Sequence, residues 1–176
     1  MKLSKRACLL TGPPGSGKTT LLIQALSTFQ GRASGFYTTE VRDGRSRLGF
    51  DIITLDGRRA PLAKVDLASP FRVGRYGVAV DNLEKVGVAS LKRALAEADL
   101  VVVDEIGKME LFSPSFKEIV DQVLCSQKRL LGTIMLAPHL WANEVKAHPQ
   151  VELLMVERSR HPQLLAQLNQ WRNPIS

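Results

Sequence analysis

Short apolar runs and helical stripes alternate along this chain. Ala7–Leu10 is an apolar run ending at Thr11, and Gly12–Gly17 reads as a loop. From Lys18 to Phe29, the apolar residues Leu21, Leu22, Ala25, Leu26 and Phe29 recur at the spacing of one helix face. Ser34–Val41 is rich in strand formers, and Leu48–Leu55 alternates up to a turn signal at Asp56-Gly57. Asp81 and Glu84 have the spacing of a capping pair, which predicts a helix continued by Leu83, Val86, Leu91 and Leu95. Leu100–Val103 has no polar interruption, as expected of a strand buried on both faces. Ser113-Pro114 predicts a helix start, with Phe116, Ile119, Val120, Val123 and Leu124 as its inner stripe. Leu130–Met135 and Val151–Val156 read as two more buried strands. Leu164, Leu165, Leu168 and Trp171 predict a closing helix.

Strands alternating with helices predict an α/β fold in which a mainly parallel sheet is covered on both faces. Residues 40–80 break the alternation. They read as a hairpin and meander, an antiparallel addition to the sheet edge. No repeat, low-complexity tract or Pro/Gly/Ser-rich linker divides the sequence, so residues 1–176 are expected to form one domain.

Composition narrows the chemistry. Of 176 residues, 44% are hydrophobic and 23% charged, which excludes wholesale disorder and fibrous repeats. The 24 Lys+Arg against 17 Asp+Glu give a net charge of +7, so the surface favours anions such as nucleotides, nucleic acid or acidic lipid heads. The longest apolar runs fall far short of the ~20 residues of a membrane span. The positive start, Met1–Arg6, is followed by no signal-peptide core, so no membrane segment is expected and the location is expected to be cytoplasmic. Cys8 and Cys125 are expected as free thiols, and the three histidines share no metal-ligand spacing.

Gly12-Pro13-Pro14-Gly15-Ser16-Gly17-Lys18-Thr19 matches the P-loop pattern, and Thr20 continues it into the helix. Glycines let backbone N–H groups close around phosphate oxygens, and the helix N-terminus adds positive potential. Lys18 is then expected to reach the β- and γ-phosphates, and the Thr19 hydroxyl to ligate Mg²⁺. A second site follows the apolar run Val101–Val103, where Asp104 and Glu105 stand at the carboxyl end of a strand. Asp104 is expected to hold Mg²⁺ and Glu105 to activate the attacking water. Gly107 permits a turn that returns Lys108 over the phosphates as a charge-stabilising cation, with an arginine such as Arg42 as the other candidate. Glu110 reads either as a second base or as the partner of Lys108.

Residues 42–75 carry eight cations against four acids, and seven of the eight are arginine. Three readings stay open: a cover over the triphosphate, a nucleic-acid face with Phe36, Tyr37, Phe50, Phe71 and Tyr76 as stacking groups, or a solvated hairpin with core aromatics.

Together with the P-loop, three groups of residues resemble the THEP1 family of nucleoside-triphosphatases. These are Gly35–Arg42 with Gly49–Leu55, Arg72–Tyr76, and Asp104–Phe112 with Leu131–Ile134. The resemblance implies a RecA/AAA-like P-loop fold with one strand between the P-loop strand and the Asp-Glu strand. It implies Mg²⁺-dependent hydrolysis of ATP, GTP and other triphosphates with little base preference. After the last strand the family shows a Thr-x-x-Asn-Arg-like stretch. This chain has Glu157 where Thr is expected, and Arg160-His161 where Asn-Arg is expected. A monomer is expected. The rival readings are a small-molecule or nucleoside kinase, and a nucleic-acid-binding module with a regulatory nucleotide site.

Overall fold

Alternation along the buried strands sets the layers. In the computed structural model, which describes residues 3–172 (Arg172 by its backbone alone), nine strands join one sheet. Met1 and Lys2 of the basic start, and residues 173–176, lie outside the described residues. The parallel part comprises β1 (Ala7–Thr11), β2 (Ala33–Asp43), β7 (Leu100–Ile106), β8 (Arg129–Ile134) and β9 (Val151–Met155). β3 (Ser46–Thr54), β4 (Arg59–Lys64), β5 (Arg72–Val73) and β6 (Tyr76–Val78) extend it with antiparallel pairing, as the broken alternation of residues 40–80 predicts. The order is β5-β6-β4-β3-β2-β7-β8-β1-β9.

Successive side chains of one strand enter opposite layers. Leu9, Val101 and Val103 join the first core with Phe36, Phe116 and Ile119, while Cys8, Leu10, Leu100 and Val102 join the second. The first core is covered by α3 (Ala89–Glu97), α4 (Pro114–Cys125) and α5 (Leu140–Ala147). The second is covered by α1 (Lys18–Ser27) and α6 (His161–Arg172), whose Leu164, Leu168 and Trp171 are buried. The expected three-layer α/β architecture is therefore present. β2 can lie against β7 because Gly35, at φ +131°, has no side chain. A Cβ there would stand 1.9 Å from the Val102 carbonyl oxygen. Among the described residues no helix is long and apolar enough to cross a membrane.

Three details depart from the sequence reading. Asp81 and Glu84 do not cap a helix. The helix opens as α2 (Val80–Asn82) after Ala79 with no side-chain cap, passes through a π-helical stretch at Leu83–Val88, and continues as α3. Glu84 instead accepts the Ser113 hydroxyl at 2.8 Å, a tertiary partner that outcompetes the local one. α1 stops at Ser27, short of Phe29. α5 was not anticipated, because only Ala142 and Val145 of its eight residues are buried and its apolar stripe is too sparse to read.

At α4 the sequence signal is realised in full. Ser113 is buried and accepts the Phe116 N–H at 3.1 Å, with Pro114 following at the first turn. Ser113→Ala removes this cap and the Glu84 bond together. It is expected to cost about 1–2 kcal/mol in urea unfolding, and an unchanged midpoint would remove the cap from the account.

Candidate active site

β1 delivers the glycine loop and β7 delivers the acids, with β8 between them in the sheet. Gly17, at φ +89°, precedes α1, and no side chain caps that helix. The first-turn N–H groups are thereby left for an anion. At the φ of Gly17, which L side chains rarely adopt, a substitution is strained whatever the space, and a Cβ would also meet His161 Cε1 at 2.5 Å. The Ser16 hydroxyl is buried in the loop without a hydrogen-bond partner. Lys18 folds back over the loop, and its Nζ donates to the carbonyls of Gly12 (2.9 Å) and Pro13 (3.2 Å).

Asp104 lies at the end of β7 and is 1% exposed. Thr19 Oγ1 donates to its Oδ2 at 2.9 Å, Thr133 Oγ1 donates to its Oδ1, and the Thr38 N–H approaches Oδ2 at 3.5 Å. Burial pushes its carboxyl above the usual range, against the pull of these donors and of the Lys18 charge. Thr19 and Asp104 thus bring two hard oxygen donors together beside the loop, which suits Mg²⁺. Among the described residues no group of three His, Cys, Asp or Glu side chains forms a self-sufficient metal site. A set this small fits an ion that takes its remaining ligands from phosphate and water.

Glu105 follows through a cis peptide bond. Burial raises its carboxyl above the ordinary range, the neighbouring Asp104 raises it further, and Lys18 opposes both. Glu110 is 4% exposed and accepts the Gly107 N–H at 3.2 Å. Burial, then the charge of Glu105, pushes it up to about 8. Among the described residues it forms no ion pair with Lys108, so of the two readings the pairing is not made. Lys108 is exposed on the turn after Gly107 and faces the same cleft. The cleft has a volume of 860 Å³ and runs from the loop past Asp104 and Glu105 to the antiparallel strands.

Two features escaped the sequence reading. Thr133 holds the second oxygen of Asp104; a lone hydroxyl ending an apolar strand was the available signal. Arg158 donates from Nε (3.1 Å) and Nη2 (2.9 Å) to the Gly15 carbonyl, and His161 Nε2 lies 2.9 Å from the Ser16 carbonyl. The segment where the sequence departs from the family pattern therefore braces the phosphate loop.

The basic segment spends much of its charge internally. Glu40 accepts Arg42 Nε at 2.7 Å and Arg47 Nη2 at 2.5 Å, and Asp51 accepts Arg59 at 2.7 Å. Phe36 is fully buried and so takes no part in stacking on a base. Phe50 meets Tyr76 edge-on at 5.4 Å. Cys8 and Cys125 are free, as expected.

A parallel sheet with one strand between its phosphate-loop strand and its acid-bearing strand, and with Thr19 bonded across to Asp104, is the arrangement of a P-loop NTPase. The fold expected from the sequence is the fold observed. A family model described as NTPase matches residues 7–168. The chain is 46% identical over 160 residues to the nucleoside-triphosphatase THEP1 of Thermotoga maritima, covering 91% of each chain. It is similar to the crystal structure of THEP1 from the hyperthermophile Aquifex aeolicus, with a TM-score of 0.85 and 34% identity, covering 92% of this chain and 96% of that one. The solution structure of a human cancer-related nucleoside triphosphatase gives a TM-score of 0.76 at 37% identity, covering 94% and 95%. The chain belongs to this NTPase family, that of the THEP1 nucleoside-triphosphatases.

The raised Glu110 carboxyl has a stability signature. Between its ordinary value near 4.5 and about 8, the folded chain holds a proton that the unfolded chain has released. Stability should therefore fall as pH rises through that window and level off above it. Glu110→Gln should flatten this decline when urea midpoints of the nucleotide-free, metal-free protein are compared from pH 5 to 9. The same slope in parent and variant would assign the pH dependence elsewhere.

Proposed function

We propose that this protein hydrolyses nucleoside triphosphates, ATP and GTP among them, to diphosphate and phosphate with Mg²⁺ and little preference for the base. The observation that carries the reading is the Thr19–Asp104 bond, 2.9 Å long, between the phosphate loop and the acid strand, with Lys18 and Glu105 lining the same cleft.

Each residue has a physical task in this reading. Pro13 and Pro14 carry no N–H and shape the loop. The N–H groups of Gly15, Gly17, Lys18, Thr19 and Thr20 are the donors for phosphate oxygens. Lys18 exchanges its carbonyl contacts for the β- and γ-phosphates, where its charge is worth more. Mg²⁺ at Thr19 and Asp104 would supply neutralisation of phosphate charge. Glu105, with its carboxyl above the ordinary range, accepts a proton from the water that it holds in line with the γ-phosphorus. Lys108 is the better placed of the two candidate cations for charge developing on that phosphorus. Arg42 is already bonded to Glu40 and to the Arg45 carbonyl, whereas Lys108 has no ion pair among the described residues.

Phosphate release measured with Mg²⁺ and ATP, GTP, CTP or UTP singly tests the reading. Turnover of several bases without any added acceptor is expected. Lys18→Ala should lose nucleotide affinity and turnover together, and normal turnover in that variant would remove the loop assignment. Glu105→Gln should still bind Mg²⁺–triphosphate while kcat falls on the order of 10²–10⁴-fold. If it hydrolyses at the parent rate, the base is another group, with Glu110 the next candidate.

A further inference from the structure

Strand order arranges the walls of the cleft. From β1 outward come the phosphate loop, then Asp104 and Glu105 on β7, where the proposed function puts the terminal phosphate. Beyond them lie Phe50 on β3, Leu62 on β4 and Val73 on β5, with Met109 facing the same space. The cleft as a whole, phosphate loop included, measures 860 Å³, and its lining continues past the acids into these apolar side chains. Hydrolysis asks for a base and one held water, and apolar walls beyond the reacting phosphate do nothing for either. Glu110, buried and with no cation partner among the described residues, lines the cleft beside Glu105 and is not used while Glu105 serves as the base.

We propose that the far end of the cleft binds a small neutral alcohol carrying a planar ring, a nucleoside being the representative class, and that the protein transfers the γ-phosphoryl group to its hydroxyl. This rests on the nucleotide reading above. The ring is accommodated by Phe50, Leu62, Val73 and Met109. Glu110 hydrogen-bonds a polar group of the acceptor and positions it. A neutral acceptor fits better than an anionic one. Glu105 and Glu110 stand at the point of attack, and the rim arginines that could hold an anion, Arg42 and Arg47, are already bonded to Glu40 at 2.7 and 2.5 Å. In the transfer, the hydroxyl oxygen bonds to the γ-phosphorus and its proton passes to Glu105. The bond from that phosphorus to the β,γ-bridging oxygen breaks, and its electron pair leaves on the diphosphate. Water reacts when no alcohol occupies the chamber.

The test incubates the full chain with Mg²⁺, γ-labelled ATP and one of adenosine, guanosine, cytidine, uridine or benzyl alcohol. Diphosphate, free phosphate and labelled acceptor are measured separately. At least one acceptor should become phosphorylated, with diphosphate then exceeding free phosphate. Val73→Trp, which fills the chamber, and the milder Phe50→Leu should lower labelled acceptor by about tenfold or more and leave diphosphate formation without acceptor near the parent rate. Free phosphate equal to diphosphate across the whole panel, with no labelled acceptor, would overturn the proposal and leave hydrolysis standing. Labelled acceptor undiminished in both variants would overturn the assignment to this chamber. Absence of diphosphate under every condition would instead overturn the nucleotide reading beneath it.

Discussion

A carboxylate buried at the edge of a sheet is costly unless every lone pair finds a donor. Asp104 meets much of that demand with hydroxyls and an N–H from three different elements: Thr19 of α1, Thr133 of β8 and Thr38 of β2. Those elements must surround β7 for the carboxylate to be tolerated. The glycine loop, the neighbouring strand and the start of the antiparallel extension are therefore drawn to one point. The residual imbalance is also useful. A group that burial holds above its ordinary range gains from any cation brought beside it, and so do its neighbours Glu105 and Glu110.

The loop is prepared for an anion in the complementary way. α1 begins without a side-chain cap, and Lys18 rests on two carbonyls that it can leave. Negative charge at the acids and unspent donors at the loop face each other across the cleft. Such a pairing suits the bound state proposed above, in which a polyphosphate and its cation would each find partners on opposite walls.

Much of this was legible in the chain. The parallel core could be read because uninterrupted runs such as Leu100–Val103 and stripes such as Phe116–Leu124 have one stable use each. The P-loop could be read because its pattern demands fixed residues at fixed spacing, and the place of Asp104 and Glu105 at the end of a buried strand followed from the apolar run before them. What could not be read depends on contacts between distant segments. Glu84 has the spacing of a cap, yet Ser113, 29 residues away, claims it. Thr133 looks like one polar residue in a strand until the sheet sets it beside Asp104. Arg158 and His161, in a stretch that departs from the family pattern, find the loop carbonyls only once α6 has packed. The roles of Lys108 and Glu110 were ambiguous because their pairing is decided by a turn whose geometry no local pattern encodes.

The brace from Arg158 and His161 to the loop makes the last helix and the phosphate loop one mechanical unit. α6 is anchored at its other end as well, where Trp171 Nε1 donates to the Lys5 carbonyl at 2.6 Å, just ahead of β1. The strand that carries the loop is thus held at its base by Trp171 of α6, and the loop at its tip by His161 at the start of α6 and by Arg158 just before it. A rod fixed at both ends transmits displacement rather than absorbing it. Residues 158–171, far from the acids in sequence, therefore tie the glycine loop to the strand that carries it.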